Sequence, residues 1–280
     1  MNRIGKKILG GGFTIIAILL IAALLFPLVW VISSSLRPYA ALYTTEFKII
    51  PDNPTLDTFR WVLFESKFLH WFKNSLIVYA TTLIVSLLVT IPAGYAFSRF
   101  KFFAKGSLLH GYFVLTQFMT GMSIIGLIAL YTILIHIGMI NSLVVLGFIY
   151  AASLVPFVTW YLKTYFDSVP RDFDEAALMD GASFTQNLRH VILPMAKPGI
   201  FTAIIFISII TWSEWIIGAI VLSAGNYTVP VGLVALLRGW ETPWNNLAAM
   251  SILYAIPIVV IFMLAQRYWR TGLTMGGLKG

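Results

Sequence analysis

The chain has no cysteine and few charged residues, since only 11% of its 280 residues are Asp, Glu, Lys or Arg. The first absence excludes disulfides, thiol nucleophiles and cysteine-ligated metals. The second argues against an ordinary soluble domain, in which about 25% of residues are charged. With 59% apolar residues, a soluble core of this size could not hide the apolar surface from water. The composition therefore predicts a protein that is dissolved in a lipid bilayer.

Residue patterns typical of catalysis are also missing. There is no G-x-x-x-x-G-K-[ST] phosphate loop and no G-x-S-x-G nucleophile elbow. The four histidines stand apart in the sequence, without metal-ligand spacing. The formal net charge is +8, but Lys and Arg lie singly between apolar runs rather than in a basic stripe. We therefore expect no enzymatic activity, no cofactor or metal on this chain, and no nucleic-acid partner.

Long runs without charge dominate the sequence. A helix crosses a bilayer with about 20 residues, and the runs predict six spans. They cover approximately residues 13–34, 74–98, 108–136, 142–162, 199–223 and 246–266. The spans must be helical, because backbone groups find no water in lipid and the period-two alternation of a barrel is absent. We predict an all-α integral membrane protein, with a single transmembrane domain over residues 1–280.

Positive charge indicates which side of the membrane each loop occupies. Lys and Arg collect at the amino end, after the second span, after the fourth span and in the tail. By the positive-inside rule, both termini and the polar segment 170–194 are cytoplasmic. We expect a multi-pass protein of the cell membrane, cytoplasmic or inner, whose surroundings are lipid.

The polar segment 170–194 predicts a helical hairpin. Three acids within residues 172–175 suit a helical first turn, where the macrodipole favours negative charge. Gly181 interrupts that helix, and Ser183 can cap a second short helix that Pro194 limits. Apolar residues recur at near-helical steps and form one stripe, namely Phe173, Ala177, Phe184, Leu188 and Val191. From spacing alone, the stripe either folds back on its own helices or meets a partner.

The same segment, "EAALMDGASFTQNLRHVILP", resembles the EAA signature of ATP-binding-cassette (ABC) importer permeases, E-A-A, three residues, G, nine residues, I-x-L-P. The matching residues are Glu175, Ala176, Ala177, Gly181, Leu193 and Pro194. Val191 stands where the pattern has isoleucine. The resemblance implies that residues 170–194 form a coupling hairpin between the fourth and fifth spans, which docks into a cleft on a separate cytoplasmic ATPase subunit.

The tail "QRYWRTGLTMGGLKG" resembles the carboxyl end of MalG-type carbohydrate permeases. There the resemblance places a glycine-rich segment at the interface between two ATPase subunits, here Gly272, Leu273, Thr274, Gly276 and Lys279. Without the resemblance, the tail is a frayed terminus. The loop "RGWETPWNN", residues 238–246, resembles the family's loop that reaches into a sugar-binding protein, through Trp240, Glu241, Trp244 and Asn245. Its alternative is a plain interfacial loop.

One acid lies inside an apolar span. Glu214 would cost about 3 kcal/mol to insert on translocon scales, and such residues usually face a cavity or a partner. We expect a structural or gate-lining role for Glu214 rather than direct sugar binding. Gln117, Thr120 and Ser123 either line a translocation path or join helices by hydrogen bonds.

The resemblance covers nearly the whole chain and implies a heteromeric machine. Its partners are a second, different permease subunit, two ATPase subunits that carry ATP and Mg, and an extracytoplasmic sugar-binding protein. The implied function is import of a carbohydrate by alternating access, with a maltodextrin-type oligosaccharide as the first expectation. Glycerol phosphate or another polyol is an alternative cargo. A secondary carrier or channel for a small polar solute, and a structural membrane anchor, are alternative functions.

Overall fold

The computed structural model describes residues 3–38, 48–101, 106–107, 111 and 124–276. All regular structure in these ranges is helical, as the sequence predicts. The first five helices are α1 (Arg3–Ser35), α2 (Asp57–Phe64), α3 (Phe68–Arg99), α4 (Ile124–His136) and α5 (Leu143–Asp167). After α6 (Asp172–Met179) come α7 (Phe184–Asn187), a π-helical segment (Leu188–Ile192) and α8 (Leu193–Met195). The remainder comprises α9 (Lys197–Ser213), α10 (Ile216–Val221), α11 (Val229–Ala235), a 3-10 turn (Gly239–Glu241) and α12 (Trp244–Gly276).

Four helices of the described part are long and apolar enough to cross a bilayer, and they match four predicted spans. They are Thr14–Ser35, Phe68–Arg99, Leu143–Asp167 and Trp244–Leu264. The predicted third span, 108–136, lies largely outside the described residues, and its described end is α4. The segment Phe184–Met195 meets α9 at an angle of 79°. The described residues thus show multiple apolar helices, of which four meet the length for a span on their own.

The predicted fifth span, 199–223, is wrong as one continuous helix. The helix α9 ends at Ser213, Glu214 takes an extended conformation with ψ 131°, and α10 begins at Ile216. The apolar run predicts a helix throughout, because hydropathy does not register where a helix is interrupted. The interruption is stabilised by the side chain of Glu214, described below.

Helices α3 and α5 pack closely against each other. On α3, a Cβ at Gly94 would lie 3.0 Å from Leu162 Cβ, and on α5 a Cβ at Gly147 would lie 2.6 Å from Thr81 Cβ. Thr82 Oγ1 donates a hydrogen bond to the carbonyl oxygen of Gly147 across the pair, at 3.1 Å. Small residues that let helix backbones approach are typical of helix pairs in membranes. Gly94 and Gly147 therefore allow the backbones of α3 and α5 to lie close together.

By its internal packing the chain divides into two compact units, Met1–Leu69 with Leu233–Ala255, and His70–Gly232 with Ile256–Gly280. In the first unit, Val62 of α2 is fully buried, and the Arg37 guanidinium lies 5.1 Å from the centroid of the Trp30 ring. In the second unit, a core cluster surrounds Leu162, Phe166 and Ile192, each with no exposed surface.

Candidate functional site

The hairpin between α5 and α9 has the local structure that its sequence predicts. The helix α6 carries the predicted acids in its first turn, and Gly181 follows with a φ of +79°, a region that L side chains rarely adopt. Ser183 then caps α7 through a capping box. Its Oγ accepts from the backbone N–H of Gln186, and the Gln186 side chain accepts from the Ser183 N–H at 2.8 Å. Two short helices joined at a bend are confirmed.

The second half of the hairpin ends at Met195, one residue past Pro194, the residue that the sequence predicts as its limit. The chain passes through the π-helical segment Leu188–Ile192 and continues into α8, where Pro194 lies in the first turn. A proline at that position is tolerated because the first N–H groups of a helix have no partner within it. The chain turns only at Ala196, which is fully buried, before α9 begins.

A buried carboxylate connects both halves of the hairpin to the end of α3. Asp174 is 8% exposed, and its Oδ2 lies 2.8 Å from Nε of Arg99, the last residue of α3. Its Oδ1 accepts from the Tyr95 hydroxyl at 2.5 Å and from the Asn187 amide at 2.9 Å. Arg99 also donates to the carbonyl oxygen of Val169 at 2.9 Å. The three partners of Asp174, one in an ion pair and two in hydrogen bonds, come from α3 and α7, so one carboxylate connects α3, α6 and α7.

Polar contacts around this group strengthen the connection between the ends of α3 and α5. Ser98 donates to Asp167 at 2.7 Å, and Lys163 pairs with the other oxygen of Asp167 at 2.6 Å. Arg171, just before α6, donates to the Ser98 carbonyl oxygen at 3.2 Å. Sequence reasoning missed the contacts that Ser98 makes with Asp167 and Arg171, because these partners are about 70 residues away along the chain. The available signal was an arginine ending one apolar span and an excess of acids in the hairpin.

The apolar stripe of the hairpin folds back on its own helices over most of its length. Ala177 is 7% exposed, and Leu188 and Val191 pack against the cluster around Phe166. The Phe184 ring lies 5.3 Å from that of Tyr95, between ring centroids. Phe173, in contrast, is 44% exposed. The fold-back interpretation thus holds for Ala177, which is buried, and for Leu188, Val191 and Phe184, which are partly covered by the chain's own helices.

The opposite face of α6 is uncovered in this chain. Leu178 and Met179 are 60% and 88% exposed, beside exposed Glu175, Ala176 and Gly181. Apolar side chains presented this way at the tip of a polar hairpin are typical of an interaction site. Of the other signature residues, Ala177 is buried within the chain, Leu193 is half-buried and Pro194 is exposed.

The tail residues continue the last helix. Gly272, Leu273, Thr274 and Gly276 lie on the helical backbone of α12, which extends ten residues beyond the predicted end of the sixth span at 266. Lys279 lies outside the described residues. A frayed end is therefore not what the backbone shows up to Gly276.

The loop 238–246 presents some of its predicted residues and not others. Trp240 is 92% exposed, Trp244 is 53% exposed and Glu241 is exposed. Asn245 is 5% exposed, and its amide donates to Thr58 Oγ1 at 3.4 Å, so it positions the loop rather than facing outward. Thr242, almost fully buried, accepts from the N–H of residue 238 at 2.9 Å and closes the turn.

Glu214 lies at the interruption between α9 and α10 and stabilises it. The Tyr150 hydroxyl of α5 donates to one carboxylate oxygen, and the other accepts from the Ile217 N–H at 2.9 Å. The carboxylate therefore satisfies a free N–H at the start of α10. The structural role expected for Glu214 is present. Gln117, Thr120 and Ser123, the other predicted path residues, lie outside the described residues.

The described ranges contain no group of three or more His, Asp or Glu residues that could hold a metal ion. A hairpin fixed to helix ends, with one uncovered face, is suited to receive mechanical force.

Comparison with known proteins gives a consistent result. The family model described as "Binding-protein-dependent transport system inner membrane component" matches residues 86–273. The galactooligosaccharides transport system permease protein GanQ of Bacillus subtilis is 36% identical, over 92% of this chain and 91% of that protein. The trehalose/maltose transport system permease protein MalG of Thermococcus litoralis is 33% identical, over 94% and 95%.

A solved structure shares the fold. It is described as a bacterial ABC transporter involved in the import of the acidic polysaccharide alginate, and one of its chains superimposes with a TM-score of 0.80 at 20% identity, over 96% of this chain and 98% of that chain. The helical architecture is therefore that of a known transporter chain.

Proposed function

The chain belongs to the family of binding-protein-dependent transport system inner membrane components, and from that premise we propose that it is a permease subunit of an ATP-driven sugar importer. The observation that supports the proposal most directly is the hairpin of α6 to α8, in which residues that resemble the EAA signature lie on a partly uncovered projection. The chain is a multi-pass membrane protein of several apolar helices and is a transport subunit rather than an enzyme.

The proposed architecture has six spans, with both termini and the hairpin in the cytoplasm. Four described helices meet the length for a span, α4 forms part of another, and the segment from α9 to α10 forms a broken one. The clusters of Lys and Arg favour this orientation. Broken helices are common in transporters, where they are tolerated if the freed backbone groups find partners in the protein. Glu214 supplies such a partner here for the Ile217 N–H, and the Tyr150 hydroxyl donates to the Glu214 carboxylate.

The proposed mechanism couples an ATPase to the spans through the hairpin. Leu178 and Met179 enter an apolar socket on an ATPase subunit, while Glu175 meets a basic group at the rim. When ATP, held with Mg on two partner ATPase subunits, draws those subunits together, the hairpin moves as a solid body and tilts the attached helices. The path then opens to the outside, and hydrolysis reverses the change. The tail from Gly272 extends as helix toward the same partners.

The remaining partners and the cargo follow from the same family. A second, different permease subunit completes the path, and the exposed Trp240 and Trp244 contact an extracytoplasmic sugar-binding protein. Two similar relatives carry the names of galactooligosaccharides and trehalose/maltose systems, and a third, MdxG of Bacillus subtilis, that of a maltodextrin system. We propose a short neutral oligosaccharide as cargo, with a maltodextrin as the first candidate.

Reconstitution of the complete importer tests this function. The chain is purified with its co-expressed partners, placed in liposomes loaded with ATP and Mg, and supplied outside with the binding protein and radiolabelled maltotriose, galactotriose or trehalose. One of these sugars should accumulate above its external concentration, and only with ATP inside. Accumulation that persists without ATP but follows an ion gradient would instead identify a secondary carrier.

A further inference from the structure

We propose that Asp174 is a positioning residue that locks the hairpin to α3, so that α3 is the span driven by the ATPase. This inference rests on the proposed docking of the hairpin. Asp174 holds Arg99 and Tyr95 on α3, and Asn187 on the far side of the Gly181 bend. Neither the family signature residues nor the exposed face of α6 includes it.

The contacts of Asp174 restrain two relative orientations, that of α6 to α7 and that of the hairpin to α3. The bond between Asp174 and Asn187 spans the bend at Gly181 and fixes the angle between α6 and α7. The pair with Arg99 fixes the hairpin to a helix with which it has no direct chain connection. The hairpin follows α5 along the chain, so its motion with α5 needs no side chain, whereas its motion with α3 does.

Burial makes the lock stiff. The side chains of Arg99 and Asp174 are 8% and 12% exposed, so pulling them apart would leave two buried charges, each without an opposite charge. Removing one member of such a pair is far more costly than removing both, because a lone buried charge remains. We therefore expect the hairpin and α3 to keep this one relative orientation throughout the transport cycle. Force applied at the tip reaches α3 as a rigid-body displacement.

Distances between spin labels test the lock directly. Because the chain has no cysteine, Thr185→Cys on the hairpin and Val89→Cys on α3, both exposed, give a unique pair of labels in the full complex in nanodiscs when the partner subunits are prepared without cysteine. The native chain should show one narrow distance with and without ATP and Mg. Asp174→Asn should broaden it at least twofold, and Tyr95→Phe, which keeps the ion pair, should broaden it less. Asp172→Asn, an exposed acid on the same helical turn, should leave it narrow.

Two further readouts separate locking from simple stability. The double variant Asp174→Asn with Arg99→Met leaves no lone charge, so its thermal unfolding midpoint should recover relative to Asp174→Asn, while its distance stays broad. A thiol at Ser213→Cys should change its reactivity toward a maleimide when ATP is added, and in Asp174→Asn that change should be at least threefold smaller with ATPase subunits still bound.

A narrow distance in Asp174→Asn, or one that the double variant restores, would overturn the lock. Loss of the ATPase subunits from Asp174→Asn would also overturn it, since Asp174 would then act in docking. The proposed function fails on a different result, namely a native chain that retains no ATPase subunit at all.

Discussion

At the scale of single residues, position in the backbone decides what can be substituted. Gly181 has a φ of +79° with no heavy atom of another residue within 4 Å of a Cβ built on it. The constraint there is conformational rather than steric. An L residue pays about 1–2 kcal/mol in the left-handed region, and a β-branched residue more. Asp174 is constrained by its partners instead.

Gly181→Val should abolish sugar uptake while the protein still inserts into the membrane, because the bend between α6 and α7 can no longer close. Gly181→Ala should weaken uptake to an intermediate level. Transport assays on membranes with equal amounts of permease measure both. The control is Gly225→Val, since Gly225 has open space around it and no positive φ. Native uptake by Gly181→Val would remove the hairpin bend from the coupling mechanism.

Tyr150→Phe should lower the stability of the purified protein by about 1–3 kcal/mol, the usual cost of leaving a charged acceptor with one partner fewer. The loss arises because Glu214 keeps the Ile217 N–H but loses the hydroxyl of Tyr150. Thermal unfolding in detergent measures it. Tyr131→Phe, at an exposed position of α4, provides the comparison and should be neutral. Equal midpoints for the two variants would mean that the interruption at Glu214 holds without Tyr150.

At the scale of elements, structure that depends on residues close together in the sequence was predicted, and structure that depends on distant residues was not. The hairpin turns depend on neighbours a few residues apart, such as the Ser183 and Gln186 capping box, so local patterns were sufficient. Burial of Asp174 against Arg99 and of Asn245 against Thr58 depends on residues brought together by the tertiary fold. The interruption of the helix at Glu214 was also not predicted, because an apolar run has the same hydropathy whether or not a side chain caps an N–H within it.

The helix pair α3 and α5 carries a sharp prediction. Gly147→Val should destabilise the protein by a few kcal/mol, because overpacking of a closed interface costs typically 1–3 kcal/mol or more, and a Cβ there would lie 2.6 Å from Thr81 Cβ. Ala152→Val, at an exposed position of the same helix, should have little effect. Expression level and unfolding temperature report the difference. If both variants unfold at the same temperature, α3 and α5 are not in close contact at Gly147.

At the scale of the whole molecule, we propose that the chain is one subunit of a transporter whose ATPase subunits are separate chains. It lacks a phosphate-binding loop, yet it has a rigid projection whose tip exposes Met179 and a separate loop whose tip exposes Trp240. The proposed orientation assigns these tips to opposite sides of the membrane, each with its own partner. The last helix continues to Gly276, and the tail on it is proposed as a further contact with the ATPase subunits.

Removal of residues 271–280 should lower the ATPase activity that is stimulated by the loaded binding protein, with less effect on assembly, because the hairpin still docks. ATP hydrolysis by the reconstituted complex, with and without binding protein, measures this. A truncation at 277 that keeps α12 whole serves as the matched control. Unchanged stimulation after the longer deletion would return the tail to the role of an ordinary terminus.

Cysteine crosslinking in intact membranes tests the central claim most directly. Single cysteines replace Met179 and Trp240 in the cysteine-free chain, and a short bifunctional reagent is applied to the assembled transporter. The account predicts that Met179→Cys crosslinks to an ATPase subunit, in an ATP-sensitive manner, and that Trp240→Cys crosslinks to the binding protein instead. A Met179→Cys variant that crosslinks only to the binding protein, or to no ATPase subunit in an active transporter, would contradict it.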